Sequence, residues 1–163
     1  MSAIHIDLTE LQAFVQELRA AGAEAKDVMG EWLDELGEMF LDEVQSEIIA
    51  RNVVNTGKLF DSFEKGGADN VWVKDGLTLE VGTDVDYASY VEYGHRQTPG
   101  RFIPGVMSGG SFQYQPGAKT GMVLKAGFVE GKHFFDGAAT SFDPKIQEFL
   151  EGKMAEWLAS HFG

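Results

Sequence analysis

The sequence predicts an α+β fold. Three observations carry this: apolar residues at steps of three and four between residues 8 and 51, apolar and polar residues alternating around an Asp-Gly pair over residues 70–82, and a closing amphipathic run. Helical period at both ends and strand period between them is the order expected when helices are segregated from an antiparallel sheet. A chain of 163 residues with 44% hydrophobic content is long enough for one domain with its own core, expected over residues 1–163.

The first stripe runs through Leu8, Leu11, Val15 and Leu18, then Val28, Trp32, Leu36, Met39, Phe40, Val44 and Ile48. Gly22 divides it into a shorter helix, with Asp7 or Thr9 as its cap, and a longer helix from about Glu24 to Arg51. Gly30 and Gly37 each weaken the longer helix by about 1 kcal/mol relative to Ala. The opposite face is acidic, with Asp27, Glu31, Glu35, Glu38 and Asp42 among its residues. It is either a solvated face or one turned to a basic partner or a DNA channel.

Asn55 to Gly57 stop the long helix, with Gly57 supplying a positive φ. The pair Asp75-Gly76 predicts a β-hairpin over about 70–82, with strands near 70–74 and 77–82. In "DYASYVEYG", Tyr87, Tyr90, Val91 and Gly94 lie at helical steps and predict a short helix over about 86–94, capped by Asp84 and Asp86 and ended by Gly94. From His95 onward the composition shifts to Gly, Pro, Ser, Gln and aromatics, which predicts a long loop over about 95–121. Its Phe102, Ile103, Val106, Met107, Phe112 and Tyr114 would be costly to leave in water, so the loop is expected to order on a partner. One more strand is predicted at 122–129, then a helical piece near 134–142. The final amphipathic helix is expected to start with Asp143 as cap and Pro144 at its first position.

Composition excludes several function classes. A net charge of −13 argues against sequence-specific nucleic-acid binding, which draws on Lys and Arg, yet suits a wall past which DNA slides. The absence of cysteine removes disulfides, thiolate nucleophiles and Cys-based zinc sites. The N-terminal residues do not read as a secretory leader, and no run approaches the roughly 20 apolar residues that span a bilayer, so a soluble cytosolic protein with no membrane association is expected. The segment "NTGKLF" lacks the rest of a phosphate-binding loop, no Gly-x-Gly-x-x-Gly lies between a strand and a helix, and "SGGSF" is not a nucleophile elbow. No cofactor is expected. Asp84, Asp86, Glu92 and His133 are the residues a divalent metal would use, which leaves a metal-dependent hydrolase as an alternative. The opposing reading takes the two aspartates as helix caps. Tyr87, Tyr90 and Tyr93 read as core and interface packing, since base-stacking platforms come with a basic groove. Arg96 and Arg101 are placed to pair with acids on a neighbouring subunit.

"NTGKLFDSF", "LEVGTDVDYASYVEYGH", a Pro/Gly-rich segment and "HFFDGAATSF" before a closing helix together resemble the bacteriophage neck and tail-component family of the head-tail junction of tailed phages and prophages. The family pattern falls on Thr56, Gly57, Leu59 and Ser62, then Val81, Gly82, Thr83, Tyr87, Ala88, Tyr90, Val91, Glu92 and Gly94. His95 stands where that pattern has Thr or Ser, and Met107 to Lys125 is longer than its usual connection. The resemblance implies a non-enzymatic structural protein of the virion, assembled in the host cytoplasm and acting in the neck or in tail completion. Its implied partners are further copies of itself, in a ring for which six is the favoured number, and neighbouring neck or tail proteins, with the DNA channel adjacent. The loop residues Arg96, Arg101, Phe102, Ile103, Met107, Phe112 and Tyr114 are then the interface. A host-cytosol assembly factor that is absent from the particle is a further alternative.

Overall fold

The computed structural model of the chain describes residues 3–9, 24–53, 57–125 and 127–162. Its elements are β1 (Ala3–Asp7), α1 (Glu24–Ala50), α2 (Lys58–Asp61), β2 (Asn70–Asp75), β3 (Thr78–Thr83), α3 (Ala88–Tyr93), β4 (Gly94–Arg96), β5 (Phe102–Ser108), β6 (Ser111–Tyr114), β7 (Gly121–Val123), β8 (Phe128–Glu130) and α4 (Phe134–Phe162). The α+β class holds.

A three-stranded antiparallel sheet in the order β1-β3-β2 forms one layer. Helix α1 packs against β3 on one side and α4 on the other. Its buried residues Met29, Trp32, Leu33, Leu36, Phe40, Val44 and Ile48 keep the spacing of three and four, so one stripe serves both neighbours. Leu79 and Val81 of β3 and Phe134, Phe135, Ala138 and Phe142 of α4 complete the core. The Phe40 ring meets Phe135 edge-on at 5.4 Å and Phe142 at 5.4 Å. Ion pairs from Lys145 to Glu43 (2.6 Å) and from Lys153 to Glu35 (2.7 Å) show that α4 runs antiparallel to α1.

Several expectations are met. The hairpin is present, with Asp75 paired to Thr78, so that Gly76 and Leu77 form the loop and Gly76 takes φ 58°. The long helix ends at Ala50, and Gly57 has φ 71°. The helix expected near residues 10–21 lies outside the described residues.

Others are corrected. Residues 3–7 are a strand ahead of any helix, and Leu8, read as the start of a helical stripe, is buried with its amide donating to Leu77 O at 2.8 Å. Ile4 and Ile6 alternate with polar residues, a pattern too short to stand out in the sequence. The expected break at Asp143 and Pro144 does not occur, because α4 is continuous across them. Proline costs a helix about 3 kcal/mol, but Asp143, Pro144 and Lys145 lie on the exposed side while Phe142 and the half-buried Ile146 and Phe149 hold the flanking turns on the core. The predicted strand at 122–129 is two short strands, β7 and β8, with different partners. The predicted loop over 95–121 is mostly β-structure, described below.

Gly37 has a packing role that its helix position conceals. A Cβ there would lie 2.5 Å from Leu79 Cδ2 and 2.6 Å from Trp72 Cη2, whereas at Gly30 the nearest atom would be Lys74 Nζ at 3.5 Å. Of the two glycines in α1, Gly37 is the one the sheet approaches this closely. Gly37→Ala is therefore expected to destabilise by roughly 1–2 kcal/mol through overpacking. Gly30→Ala is expected to stabilise by about 0.5–1 kcal/mol through helix propensity. Urea unfolding midpoints that shifted in the same direction for both would contradict this packing.

Candidate functional site

The buried polar or charged residues among the described ones are Ser62, Thr83 and Glu92. All three belong to the sequence signature. The Thr83 hydroxyl donates to Ser62 Oγ at 2.8 Å and accepts from Val85 N at 3.1 Å, while Ser62 Oγ donates to Leu59 O at 2.7 Å. Leu59 is buried and Gly82 lies beneath the sheet surface, so this part of the signature ties α2 to the end of β3. Thr56 lies outside the described residues. Tyr87 is half-buried against the core, while Tyr90 and Tyr93 are exposed and lie outside the core. Asp84 and Asp86 do not cap α3, whose N-terminus at Tyr87 has no side-chain cap. Both aspartates are exposed.

Glu92 caps a different helix. Its Oε2 accepts from Phe135 N at 2.8 Å and its Oε1 from Asp136 N at 2.9 Å, at the first turn of α4. Its own backbone carbonyl accepts from His133 N at 3.1 Å, and Val91 O accepts from Lys132 N at 2.7 Å. The unpaired amides and positive end of α4 thus receive a carboxylate from 43 residues upstream. Gly131 permits this closeness, since a Cβ there would collide with the Glu92 carbonyl. Gly94 leaves α3 at φ 83° and turns the chain outward. Although Tyr93 is largely exposed, its phenol beside this node is held above its ordinary pKa, by partial desolvation first and then by the Asp136 and Glu92 carboxylates.

From that node residues 94–130 leave as a β-arm. At its base β4 pairs with β8, from Gly94 opposite Glu130 to Arg96 opposite Phe128. Further out β5 pairs first with β7 and then with β6, all antiparallel. Gly109 (φ 58°) and Gly110 (φ 81°) make a two-residue turn at the tip. The loop expected over 95–121 is thus a ribbon whose pattern is masked by glycines. A Cβ at Gly105 would meet the Phe112 ring and one at Gly121 the Phe102 ring, so each aromatic lies over a glycine of the paired strand.

Of the predicted interface residues, Arg96, Arg101, Phe102, Met107 and Tyr114 are exposed, and Ile103 and Phe112 are half-buried within the arm. Val106, one of the loop's apolar residues expected to meet a partner, is exposed too, as are Met122, Val123, Phe128 and Val129. The signal for the tip was present, because "SGGS" is a two-residue Gly-Gly hairpin loop. Between the arm and the body lies a groove of about 1100 Å³, lined by Ile49, Val53, Tyr87, Tyr90 and Val91 on one side and by Phe112, Met122 and Val129 on the other.

The metal alternative is partly assembled. Glu92 and His133 come together, joined by Asp136, with ligand atoms within 4.8 Å of one another, while Asp84 and Asp86 are not in the group. Both Glu92 oxygens already accept helix amides, and the positive end of α4 repels a cation. The geometry is that of a helix cap.

Residues 11–94 match the family described as "Bacteriophage HK97-gp10, putative tail-component". The matched span ends where the arm begins. The chain is 39% identical over 155 residues to the phage-like element PBSX protein XkdI of Bacillus subtilis (strain 168), covering 93% of this chain and 95% of that protein. It is 38% identical over 162 residues to the "Uncharacterized protein YqbI" of the same organism, covering 93% of this chain and 97% of that protein. No solved structure matches.

Two predictions separate a cap from a metal site. Glu92→Gln keeps one acceptor and turns an amide toward an amide donor, so a loss of roughly 1.5–3 kcal/mol is expected, with hydrogen-exchange protection reduced at Phe135 and Asp136. Asp84→Asn and Asp86→Asn should each stay within about 0.5 kcal/mol. A thermal midpoint raised by millimolar zinc, manganese or magnesium, and lowered again by chelator, would overturn the cap reading, since a ligand that binds the native state stabilises it.

Proposed function

The chain belongs to the HK97-gp10-like bacteriophage tail-component family, and from that premise we propose that it is a structural protein of the head-tail junction of a tailed phage, prophage or phage-tail-like particle. It acts in the neck or in tail completion, as a ring of copies around the DNA channel, and joins neighbouring tail or neck proteins without catalysis. The coarser statement, a phage structural protein, rests on the family match and on the relative XkdI of a phage-like element. The observation that carries the finer reading is the β-arm. It projects from a closed core with large apolar side chains on its surface, a form that suits attachment to other subunits. No helix among the described residues is long and apolar enough to cross a membrane.

The net charge of −13 fits a ring beside DNA, because like charge lets the duplex pass without releasing counterions. The particle is assembled in the host cytoplasm, and the chain stays in it.

Gold-labelled antibody to this chain, applied to particles from an induced host, is expected to mark the head-tail junction or the top of a headless tail. Intact particles without label, with the protein present in the lysate, would reject the virion reading in favour of an assembly factor. Replacing residues 105–119 by a short Gly-rich turn is expected to leave the body folded, because Pro104 and Gly121 lie opposite each other in the β5–β7 pairing and the ribbon can close there. Such particles should fail in head-tail joining or tail completion.

A further inference from the structure

Charge is segregated along this chain. Residues 94–130 contain Arg96, Arg101, Lys119 and Lys125 against the single acid Glu130, a net +3 in a chain of net −13, so the remainder carries −16. Ion pairing is concentrated in the body. Among the described residues, six of the eight body cations (Arg51, Lys58, Lys65, Lys74, Lys145 and Lys153) each pair with an acid, while Lys26 and Lys132 do not. None of the four arm cations has an ion pair among the described residues, and all four are exposed. Apolar exposure follows the arm too: Phe102 is 50% exposed, Met107 69%, Tyr114 65% and Val123 52%.

The complementary surface is on α1. Asp27, Glu31, Glu35, Glu38 and Asp42 follow one another at steps of three and four, all exposed, on the side opposite the buried stripe. Asp27, Glu31 and Asp42 have no ion pair among the described residues, and Met39 is 36% exposed beside them. We propose that the β-arm of one copy docks on the acidic outer face of α1 of a second copy of this chain. Its four cations meet that stripe, and the contact covers the apolar side chains between them. This rests on the structural-protein reading above and supplies the contact that joins copies.

A second copy fits better than a nucleic acid. A phosphate backbone would take the cations but offers no apolar cover for Met107, Val106 or Val123. The contact is heterologous, arm on one copy to helix on the next, which is the geometry that propagates to a ring when its rotation closes.

The test uses a zero-length carbodiimide cross-linker, which couples lysine to carboxylate, on a 1:1 mixture of unlabelled and nitrogen-15-labelled full-length protein and, separately, on assembled particles. Mixed-isotope links from Lys119 or Lys125 to Asp27, Glu31 or Asp42 are expected. They should fall at least about tenfold in the variant R96E/R101E, which keeps both reactive lysines, and fade from low to 0.5 M salt as charges are screened. Combining the full arm reversal R96E/R101E/K119E/K125E with D27K/E31K/D42K restores the charge match with the sign inverted. Self-association by sedimentation should return in the combined variant and in a mixture of the two single-sided variants, while circular dichroism confirms that each is folded. Lack of such links in both the purified protein and particles that contain the chain overturns the proposal. So does arm cross-linking to a different protein, association unchanged by arm reversal, or arm lysines protected by nuclease-sensitive DNA. Particles lacking the chain would instead reject the virion reading, and the purified protein would still decide the contact.

Discussion

The hydrogen bonds between the buried Glu92 carboxylate and the first amides of α4 are the constraint on which the rest of the structure depends. A carboxylate at 0% exposure is costly unless its oxygens are bonded, and here both are, by amides that would otherwise be orphaned at a helix start. Charge-assisted bonds of this kind are worth roughly 1.5–3 kcal/mol each. The geometric consequence is larger than the energetic one. Joining the end of α3 to the start of α4 sets where α4 begins, and so places Phe134, Phe135 and Phe142 against Phe40 and Phe63. It also clamps both ends of the arm, which leaves at Gly94 and returns at Glu130 opposite it.

The body and the arm obey different physics. The body buries one continuous apolar cluster and disperses its acids into a solvated face, with lysines spaced to pair some of them. Each of those exposed pairs is worth about 0–1 kcal/mol, so they orient the helices more than they stabilise them. The arm is a narrow ribbon with apolar residues on both faces, and two- or three-stranded ribbons without a covered face are marginal in water. Phe102 over Gly121 and Phe112 over Gly105 recover part of that cover within the ribbon. The remaining exposure is what a partner surface would remove.

The body was largely legible in the sequence because its signals are local and periodic. The stripe from Val28 to Ile48, the Asp-Gly hairpin and the exit at Gly94 each follow from spacing or a turn residue. Glu92 stood out as a motif position and a candidate metal ligand but not as a cap, since its partners at residues 135 and 136 are distant in sequence and no local pattern joins a carboxylate to a remote helix start. The arm was hidden for a related reason. Its strands are three to seven residues long and interrupted by Pro104, Gly105 and Gly121, so composition read as loop, while the pairing of residue 102 with 123 and 96 with 128 is non-local. Asp84 and Asp86 failed as caps because the turn before α3 is held instead by the Thr83 hydroxyl on Val85 N. Pro144 misled because tertiary packing on both sides outweighs one lost helix bond.

On the proposed contact, the same charge segregation controls when copies join. A net charge of −13 keeps free monomers apart, and the acidic stripes add to that repulsion. An arm with net +3 inverts the sign locally, so attraction acts only when an arm faces a stripe, which selects orientation during encounter more than it adds affinity. Apolar cover from Met107, Val123 and Tyr114 then supplies the slower-dissociating part of the contact. Because each copy has one arm and one stripe, every contact formed leaves one of each unsatisfied at the two ends of the chain of copies. A closed ring satisfies both, and an open assembly of any size does not. Closure is therefore the state in which the arm, marginal by itself, is covered in every copy, and the stability of the arm becomes a property of the ring.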